Sequence, residues 1–200
     1  MLSYLAAALP PEIGAATRLL AVQCALRTTS SGRLWVPAGL LRGMRIQHHS
    51  RPWWELEQSG WLVRLATTST MDVRYGVSVQ LLDASVLAQA PGRLDRAHAA
   101  DTALRLAFGP VLRDLSVSDQ LAGLTLVTHL PPSKVHGVIE ADRLGRVCAL
   151  APDLLTTTLD RLVAARAADW WSYDPGSEDI TWALGPTLGW RYANLLSERA

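Results

Sequence analysis

The sequence predicts a mainly helical α+β protein in which small β-hairpins follow groups of short helices. Apolar residues recur at helical spacing in several segments, and two pairs of β-rich runs are each separated by a short polar turn. Hydrophobic residues make up 49% of the 200 residues and include eight tryptophans, which is enough apolar surface for a substantial core. The order of segments in the first half returns in the second half, which predicts an internal repeat of pattern at low residue identity.

The first half is predicted to contain three helices, a short strand and a hairpin. Pro11 suits the first turn of the first helix. Ser50 can cap the third helix, and Gly60 can end that helix in a left-handed conformation. In chain order the segments are a helix over 11–28, a strand over 33–36, a helix over 38–46, a helix over 51–59 and a hairpin with a polar tip at 67–72.

The second half is predicted to follow the same order. Ser118 is the expected cap of its first helix, and Pro175 and Gly176 suit the centre of its hairpin turn. The repeat aligns the segment GRLWV with HGVIE, and GWLV with DWWS. In chain order the segments are a helix over 116–130, a strand over 137–140, a helix over 141–150, a helix over 152–168 and a hairpin over 170–184.

A further helix is expected between the halves, over 94–108, where it joins the domains or pairs two chains. The chain is therefore divided into a first domain over 10–84, a linker helix region over 85–115, and a second domain over 116–200 with its C-terminal segment.

This order of helices, strand and hairpin resembles the winged helix-turn-helix superfamily in two tandem copies. The resemblance covers about residues 10–84 and 116–184 and rests on a third helix with regular Leu or Trp spacing that leads into a Trp-containing hairpin. No single family within the superfamily is identified. The resemblance implies binding of double-stranded DNA, with the third helix in the major groove and the wing on a phosphate backbone. A minority of such domains bind proteins instead.

Charge is distributed unevenly along the chain. The formal net charge of +1 excludes an indiscriminate polycation. Residues 1–85 nevertheless carry eight arginines against five acidic residues, whereas residues 86–200 carry eleven basic residues against thirteen acidic ones. Lys134 is the single lysine, and this strong preference for arginine is typical of a high-GC bacterial coding sequence. Arginine suits phosphate and guanine because its planar fork can donate two hydrogen bonds.

A stretch without carboxylates, residues 42–54, is the candidate DNA site. Under the resemblance it forms the turn before the third helix and the first turn of that helix, where base-reading and phosphate-contacting groups lie. An ordinary solvated turn remains the alternative. The candidate DNA-binding residues are Arg42, Arg45, Gln47, His48, His49, Ser50 and Arg51, together with Arg64 and Arg74, which flank the first hairpin.

Tryptophans of the third helix have two roles in this interpretation. Trp53 and Trp61 are expected in the core because of their spacing toward the hairpin. For Trp54, packing beside the core is favoured, and an exposed position that contacts a partner is the alternative.

The second hairpin differs from the first because Asp174, Glu178 and Asp179 surround its turn. Three carboxylates would repel a phosphate backbone, so the second domain is expected to supply dimer contacts or a partner surface. A DNA role through Lys134, Arg143 and Arg146 stays open.

Other function classes lack their signatures. No G-x-S-x-G, P-loop, G-x-G-x-x-G or paired-Cys motif occurs, so no enzyme activity and no cofactor are expected. His48 and His49 with Glu55 or Glu57 lack metal-ligand spacing, and no metal is expected. Cys24 and Cys148 are interpreted as buried reduced thiols. The first nine residues are too short to span a bilayer, so no membrane segment is expected.

The sequence therefore predicts a cytoplasmic, nucleoid-associated protein that binds double-stranded DNA mainly through its first domain. The expected role is a transcriptional regulator or a plasmid-type replication or maintenance factor, acting as a homodimer. The alternative is a protein-interaction module that binds no DNA and docks a partner through Trp54 and the acidic second hairpin.

Overall fold

The computed structural model describes residues 1–46, 50–65, 75–89, 92–131, 134 and 136–197. Within these residues the protein has an α+β fold with two small three-stranded antiparallel sheets. Its internal contacts divide the chain into unit 1, Ser3–Asp101 with Met1, and unit 2, Thr102–Ala200 with Leu2. The division falls inside a helix that the sequence assigns to a linker.

Unit 1 includes a run of elements in the order helix, strand, helix, helix and hairpin. The elements from the N-terminus are α1 (Leu2–Ala8), α2 (Ala15–Arg27), β1 (Arg33–Pro37), α3 (Ala38–Gly43), α4 (Ser50–Gln58), β2 (Leu62–Arg64), β3 (Gly76–Leu81), α5 (Ala84–Gln89) and α6 (Arg93–Ala107), the last of which extends across the boundary into unit 2. The strands are arranged β1-β3-β2, with β3 in the centre.

The core of unit 1 surrounds α2, which is buried along almost its whole length. Because α2 has neighbours on all sides, its apolar residues are not confined to one stripe. Strand β1 alternates instead: Leu34 and Val36 are buried, whereas Arg33 and Trp35 are exposed. β1 therefore contributes one face to the core and leaves the other face outward.

Unit 2 repeats the order of unit 1 from α2 to β3. Its further elements are α7 (Val117–Thr128), β4 (His136–Glu140), α8 (Ala141–Cys148), α9 (Pro152–Ala164), β5 (Ala168–Asp174), β6 (Asp179–Leu184) and α10 (Pro186–Ser197). The strands are arranged β4-β6-β5, again with the last strand in the centre.

The first helix of the repeated order, α2 in unit 1 and α7 in unit 2, contacts the segment before it through a buried polar side chain. Arg18 of α2 donates to carbonyls five and eight residues earlier, at 3.0 and 3.2 Å. Gln120 of α7 donates to carbonyls five and eight residues earlier, both at 3.3 Å. Both side chains are buried, so each one satisfies backbone acceptors that would otherwise be buried without donors. Two different residues thus make the same pair of contacts.

The third helix of the repeated order, α4 in unit 1 and α9 in unit 2, ends in the same way in both units. Gly60 and Arg166 both adopt a left-handed conformation, with φ of 67° and 57°. One residue later, the Trp61 N–H donates to a carbonyl five residues back at 3.1 Å, and the Ala167 N–H does so at 2.9 Å. Gly60 confirms the predicted stop, whereas Arg166 adopts this conformation against the usual preference for glycine.

These ends correct the sequence alignment of the repeats. β2 begins at Leu62 and β5 at Ala168, each two residues after the left-handed residue, so the match of GWLV with DWWS is wrong by three positions. The prediction matched Trp61 with Trp170 because both are tryptophans. The two residues do not occupy equivalent positions, since Trp61 is buried and Trp170 is exposed. β1 and β4 share one burial pattern from Arg33 and from His136, so GRLWV and HGVIE are offset by one position.

Several helix starts also differ from prediction. α2 begins at Ala15 after Gly14, not at Pro11, which lies in a turn. α7 is capped by Ser116, not by Ser118, because the Ser116 hydroxyl accepts the Asp119 N–H at 3.2 Å and the Asp119 carboxylate accepts the Ser116 N–H at 3.3 Å. A reciprocal pair of this kind satisfies two helix-terminal donors.

Other segments are confirmed with shifted ends, and three helices are new. The predicted 94–108 helix corresponds to α6, but the N-terminal helix α1, the short helix α5 and the C-terminal helix α10 have no counterpart in the prediction. The expected helix over 38–46 ends at Gly43. The polar tip at 67–72 lies outside the described residues.

Both cysteines are buried free thiols, as predicted. Burial raises the pKa of Cys24 to about 12, so this thiol stays protonated near neutral pH. None of the helices in the described ranges is long and apolar enough to cross a membrane.

Candidate nucleic-acid interface

Helix α4 turns one side to the core and the opposite side outward. Trp53 and Leu56 are buried, at 5% and 0% exposure, as their spacing predicts. Arg51, Trp54 and Gln58 are exposed and lie three or four residues apart, so they share the outward side. Trp54 is 57% exposed, and the favoured expectation that it packs beside the core is therefore wrong.

The turn after α3 brings two more arginines to the surface. Arg42 and Arg45 are exposed, whereas Met44 and Ile46 between and after them are buried. Arg45 adopts a left-handed conformation with φ of 58°, which a non-glycine residue adopts at a cost of about 1 kcal/mol. Ala149 adopts the same conformation after α8, with φ of 54°, so this strain belongs to the fold and is not specific to the arginine. Arg42, Arg45, Arg51, Trp54 and Gln58 are called the α3–α4 face below.

Arg51 is held by an acidic neighbour on its own helix. Its Nε donates to Oε1 of Glu55 at 2.7 Å, one helical turn away. The other carboxylate oxygen of Glu55 accepts the hydroxyl proton of Thr17 from α2 at 2.5 Å. The Arg51 side chain is 79% exposed and the Glu55 side chain 11% exposed. The acidic member of the pair is therefore at the boundary of the core, and the basic member reaches outward.

Arg64 is paired more tightly. Its Nε and Nη2 donate to the two oxygens of Glu57 at 2.9 and 2.7 Å, and its backbone N–H also donates to Glu57 at 3.2 Å. These hydrogen bonds outweigh partial burial and hold the pKa of Glu57 below its usual value, so the carboxylate is ionised at neutral pH. Arg64 was expected to contact a phosphate. Its Nε and Nη2 donors are instead hydrogen-bonded to Glu57 within the protein.

The carboxylates change the charge of this region. Residues 42–54 contain none, but Glu55 and Glu57 in the next turn of α4 contact two of the candidate arginines. The Arg51–Glu55 spacing of four residues was a visible signal for the first pair. The Glu57–Arg64 pair depends on how α4 packs beside β2, which the sequence does not reveal. Arg42, Arg45, Arg51 and Arg64 still outnumber the two acids in this part of the described chain.

Unit 2 has a different surface at the corresponding helix. Arg161 of α9 points to Asp119 of α7, with distances of 2.8 to 3.1 Å. Asp160 accepts the Trp171 indole N–H at 2.9 Å. Thr156 and Thr157 are exposed, and each donates its hydroxyl hydrogen to the carbonyl of Asp153. The charged groups of α9 named here are thus engaged by unit 2 itself.

The turn of the second hairpin is acidic and outward. Asp174 and Glu178 are exposed, and Asp179 is half-buried. Asp174 accepts the Gly176 N–H at 2.9 Å and the Ser177 hydroxyl at 3.1 Å. These hydrogen bonds, the backbone one first, lower the pKa of Asp174 and keep it ionised. The expected acidic tip is therefore present in the structure.

Some candidate residues lie outside the described part of the chain. These are Gln47, His48, His49 and Arg74, as well as the side chain of Ser50, whose backbone begins α4. The predicted capping role of Ser50 is not tested for the same reason. Among the described residues, no group of three or more His, Cys, Asp or Glu side chains is arranged to hold a metal ion.

In comparisons with known proteins, no family model, no curated protein and no solved structure matches this chain.

Proposed function

We propose that the chain consists of two tandem winged helix-turn-helix domains and binds double-stranded DNA mainly through unit 1, as a transcriptional regulator or a plasmid-type replication or maintenance factor. The strongest support for the fold is that both units share one element order and the strand order first-third-second. In a winged helix-turn-helix, α4 would enter the major groove, and the β2–β3 hairpin would lie beside the phosphate backbone.

The single observation that carries the DNA proposal is the cationic α3–α4 face. Arg42, Arg45 and Arg51 are exposed around the start of α4, where the positive end of the helix dipole adds to their charge. The Arg51 side chain is 79% exposed although it pairs with Glu55, so a phosphate or a guanine can reach its guanidinium. Gln58, on the same side, has the groups that recognise adenine.

Unit 2 is proposed to serve association rather than DNA contact. Its acidic turn carries Asp174 and Glu178, and Arg161 is directed to Asp119. Negative charge at the tip of a wing opposes approach to a duplex with one charge per about 1.7 Å of axis. A homodimer formed through unit 2 would present two copies of α4 to half-sites about 34 Å apart.

The test of the α3–α4 face is the double variant Arg45→Ala with Arg51→Ala. Removing two phosphate- or base-contacting charges is expected to lower duplex affinity by about tenfold or more. Fluorescence anisotropy with a labelled duplex measures the change. The matched control is Arg143→Ala with Arg146→Ala on α8, which removes the same charge from unit 2. Wild-type affinity in the first variant, or equal losses in both, would contradict DNA binding through this face.

Glu57 provides a second test because its carboxylate forms an ion pair with Arg64, which lies on strand β2 of the first hairpin. Glu57→Gln weakens the hold on Arg64, and we expect duplex affinity to rise about threefold and the salt slope to steepen by about one unit. Glu12→Gln removes the same charge from an exposed position before α2 and controls for net charge. An equal rise in both variants would show a general charge effect and no contribution from Arg64.

A protein-interaction module is the second candidate, and one observation favours it. Trp54 of the α3–α4 face is 57% exposed, and Glu55 and Glu57 lie next to it in the sequence of α4. An aromatic side chain in such a position is frequent at protein interfaces. Apolar docking would depend weakly on salt, whereas binding to phosphates weakens steeply as salt rises.

A further inference from the structure

A chain of hydrogen bonds runs from the interior of unit 1 to the α3–α4 face. It begins at Thr17, which is 2% exposed and donates to Glu55 Oε2 at 2.5 Å. Glu55 Oε1 then accepts the Nε–H of Arg51 at 2.7 Å. Exposure of the side chains rises from 11% at Glu55 to 79% at Arg51. A buried hydroxyl on α2 is thus connected to a surface guanidinium on α4 through one carboxylate.

Unit 2 contains the inner part of this chain with donor and acceptor exchanged between the two helices. Asp119 is the third residue of α7, as Thr17 is of α2, and Asp119 accepts two hydrogen bonds from Arg161 of α9. Glu55 and Arg161 are matching positions, because each lies directly before the leucine whose carbonyl accepts the bond that ends the third helix. A contact between the first and third helices therefore exists in both units.

The outer part of the chain exists only in unit 1. The position of Arg51, four residues before Glu55, is occupied in unit 2 by Thr157, four residues before Arg161. Thr157 donates to the carbonyl of Asp153 at 3.1 Å, within its own helix. The shared contact thus accounts for the packing of the helices, whereas the extension to an exposed arginine is particular to unit 1.

The contact with Glu55 uses only the Nε of Arg51, and the Arg51 side chain is 79% exposed. Glu55 accepts the hydrogen bond of Nε, so it does not use the two terminal nitrogens of the guanidinium. An arginine fork recognises guanine by donating two hydrogen bonds to O6 and N7, which requires a fixed orientation. A phosphate contact does not require one, because phosphate oxygens accept from many directions. The carboxylate also offsets part of the charge of Arg51, which makes Arg51 a weaker phosphate ligand than an arginine without an acidic neighbour.

We propose that Thr17 and Glu55 are positioning residues that orient Arg51 to recognise a guanine in the major groove. The duplexes that unit 1 prefers then contain a G·C pair opposite Arg51. This inference rests on the proposed DNA binding and names the sequence feature that such binding reads. Glu55 is compatible with a neighbouring duplex because its side chain is nearly buried and both of its oxygens already accept hydrogen bonds.

The experiment selects duplexes from a random pool with the full-length wild-type chain and then measures affinities by anisotropy. We expect a guanine at one position of the selected site. Replacing it with 7-deazaguanine, which lacks the N7 acceptor, should weaken wild-type binding about fivefold or more and leave Arg51→Ala unchanged.

Thr17→Val tests the positioning role without changing any charge. The valine has nearly the same shape but donates no hydrogen bond to Glu55, so preference for guanine over adenine should fall about fivefold while the salt slope stays the same. Thr28→Val, at another buried threonine of unit 1, is the matched control and should change neither quantity. Glu55→Gln is the second variant if Thr17→Val does not fold, and it should also reduce the preference for guanine.

The outcomes separate the two proposals. If Thr17→Val and Glu55→Gln keep the full preference for guanine and Arg51→Ala loses it, Arg51 reads the base without positioning, and the inference is overturned while DNA binding stands. The inference also fails if the wild-type chain binds duplexes but selects no guanine that depends on Arg51. If the wild-type chain binds no duplex at about 50 mM salt, the proposed function fails and the inference fails with it.

Discussion

Replacing Trp182 by alanine is expected to destabilise unit 2 by about 3–5 kcal/mol, the usual range for removing a buried large aromatic side chain. Trp182 of β6 is completely buried, and its ring covers Gly137 on the neighbouring strand. A Cβ atom on Gly137 would lie 2.3 Å from the ring carbon Cζ2 of Trp182. The glycine and the tryptophan therefore fill one space together, and alanine at position 182 leaves a cavity on both strands.

Hydrogen–deuterium exchange of peptides from β4, β6 and α7 measures this loss, because cavity formation raises the fraction of open molecules. Trp182→Phe keeps an aromatic ring and should lose much less protection. Val79→Ala is the matched control in unit 1, because Val79 has the same place in β3 and is smaller. Unchanged protection in Trp182→Ala would show that the ring does not support the sheet of unit 2.

Removing the Asp119 side chain has the second largest expected effect. Asp119→Ala breaks the contact with Arg161 and also the reciprocal cap with Ser116. Breaking a fully buried ion pair costs about 3–5 kcal/mol, and the Arg161 side chain is 45% exposed, so we expect a loss of about 2–3 kcal/mol. Urea denaturation followed by circular dichroism measures it. Asp142→Ala, in the exposed pair with Arg146, is the control and should cost less than about 0.5 kcal/mol.

The contribution of Asp119 to the free energy of unfolding should disappear at acidic pH. Burial alone would raise the pKa of Asp119, but hydrogen bonds from Arg161 and Ser116 and attraction to Arg161 outweigh burial and lower it. A carboxyl group with a lowered pKa in the folded state stabilises the fold above its unfolded pKa, near 3.8, and loses this effect as pH falls through the folded value. The gap between wild type and Asp119→Ala should therefore shrink below about pH 4. A gap that is constant from about pH 7 to pH 3 would rule out an ionic contribution.

Local signals in the sequence located the strands and the third helices, although the helix predicted over 152–168 ends at Ala164 and β5 begins at Ala168. The β-rich run RLWV before Pro37 predicted β1, and Gly60 predicted the end of α4. The start of α7 was harder to predict from the sequence, because Ser116 and Ser118 are both suitable caps. Only the hydrogen bond that the Asp119 N–H donates to Ser116 distinguishes them. Alignment of the halves failed where tryptophans with different roles, Trp61 and Trp170, were matched by type.

The exposure of the candidate arginines was predicted from the sequence, but their ion pairs with acidic residues were not. Arg42, Arg45 and Arg51 are at the surface, as expected of residues around the start of a third helix. The Arg51–Glu55 pair has the four-residue spacing of a helix and was visible in the sequence, whereas the contacts of Thr17 with Glu55 and of Glu57 with Arg64 come from tertiary packing. Contacts between side chains distant in sequence leave no periodic pattern, so they are not predictable from spacing alone.

The most direct test of DNA binding by unit 1 is the affinity of the wild-type chain for a labelled random duplex at about 50 mM and about 200 mM salt. With about two phosphate contacts or more, we expect measurable binding at the lower concentration and a loss of about tenfold or more at the higher one, because each contact releases counterions. Absence of binding at the lower concentration, or the same affinity at both, would contradict the account.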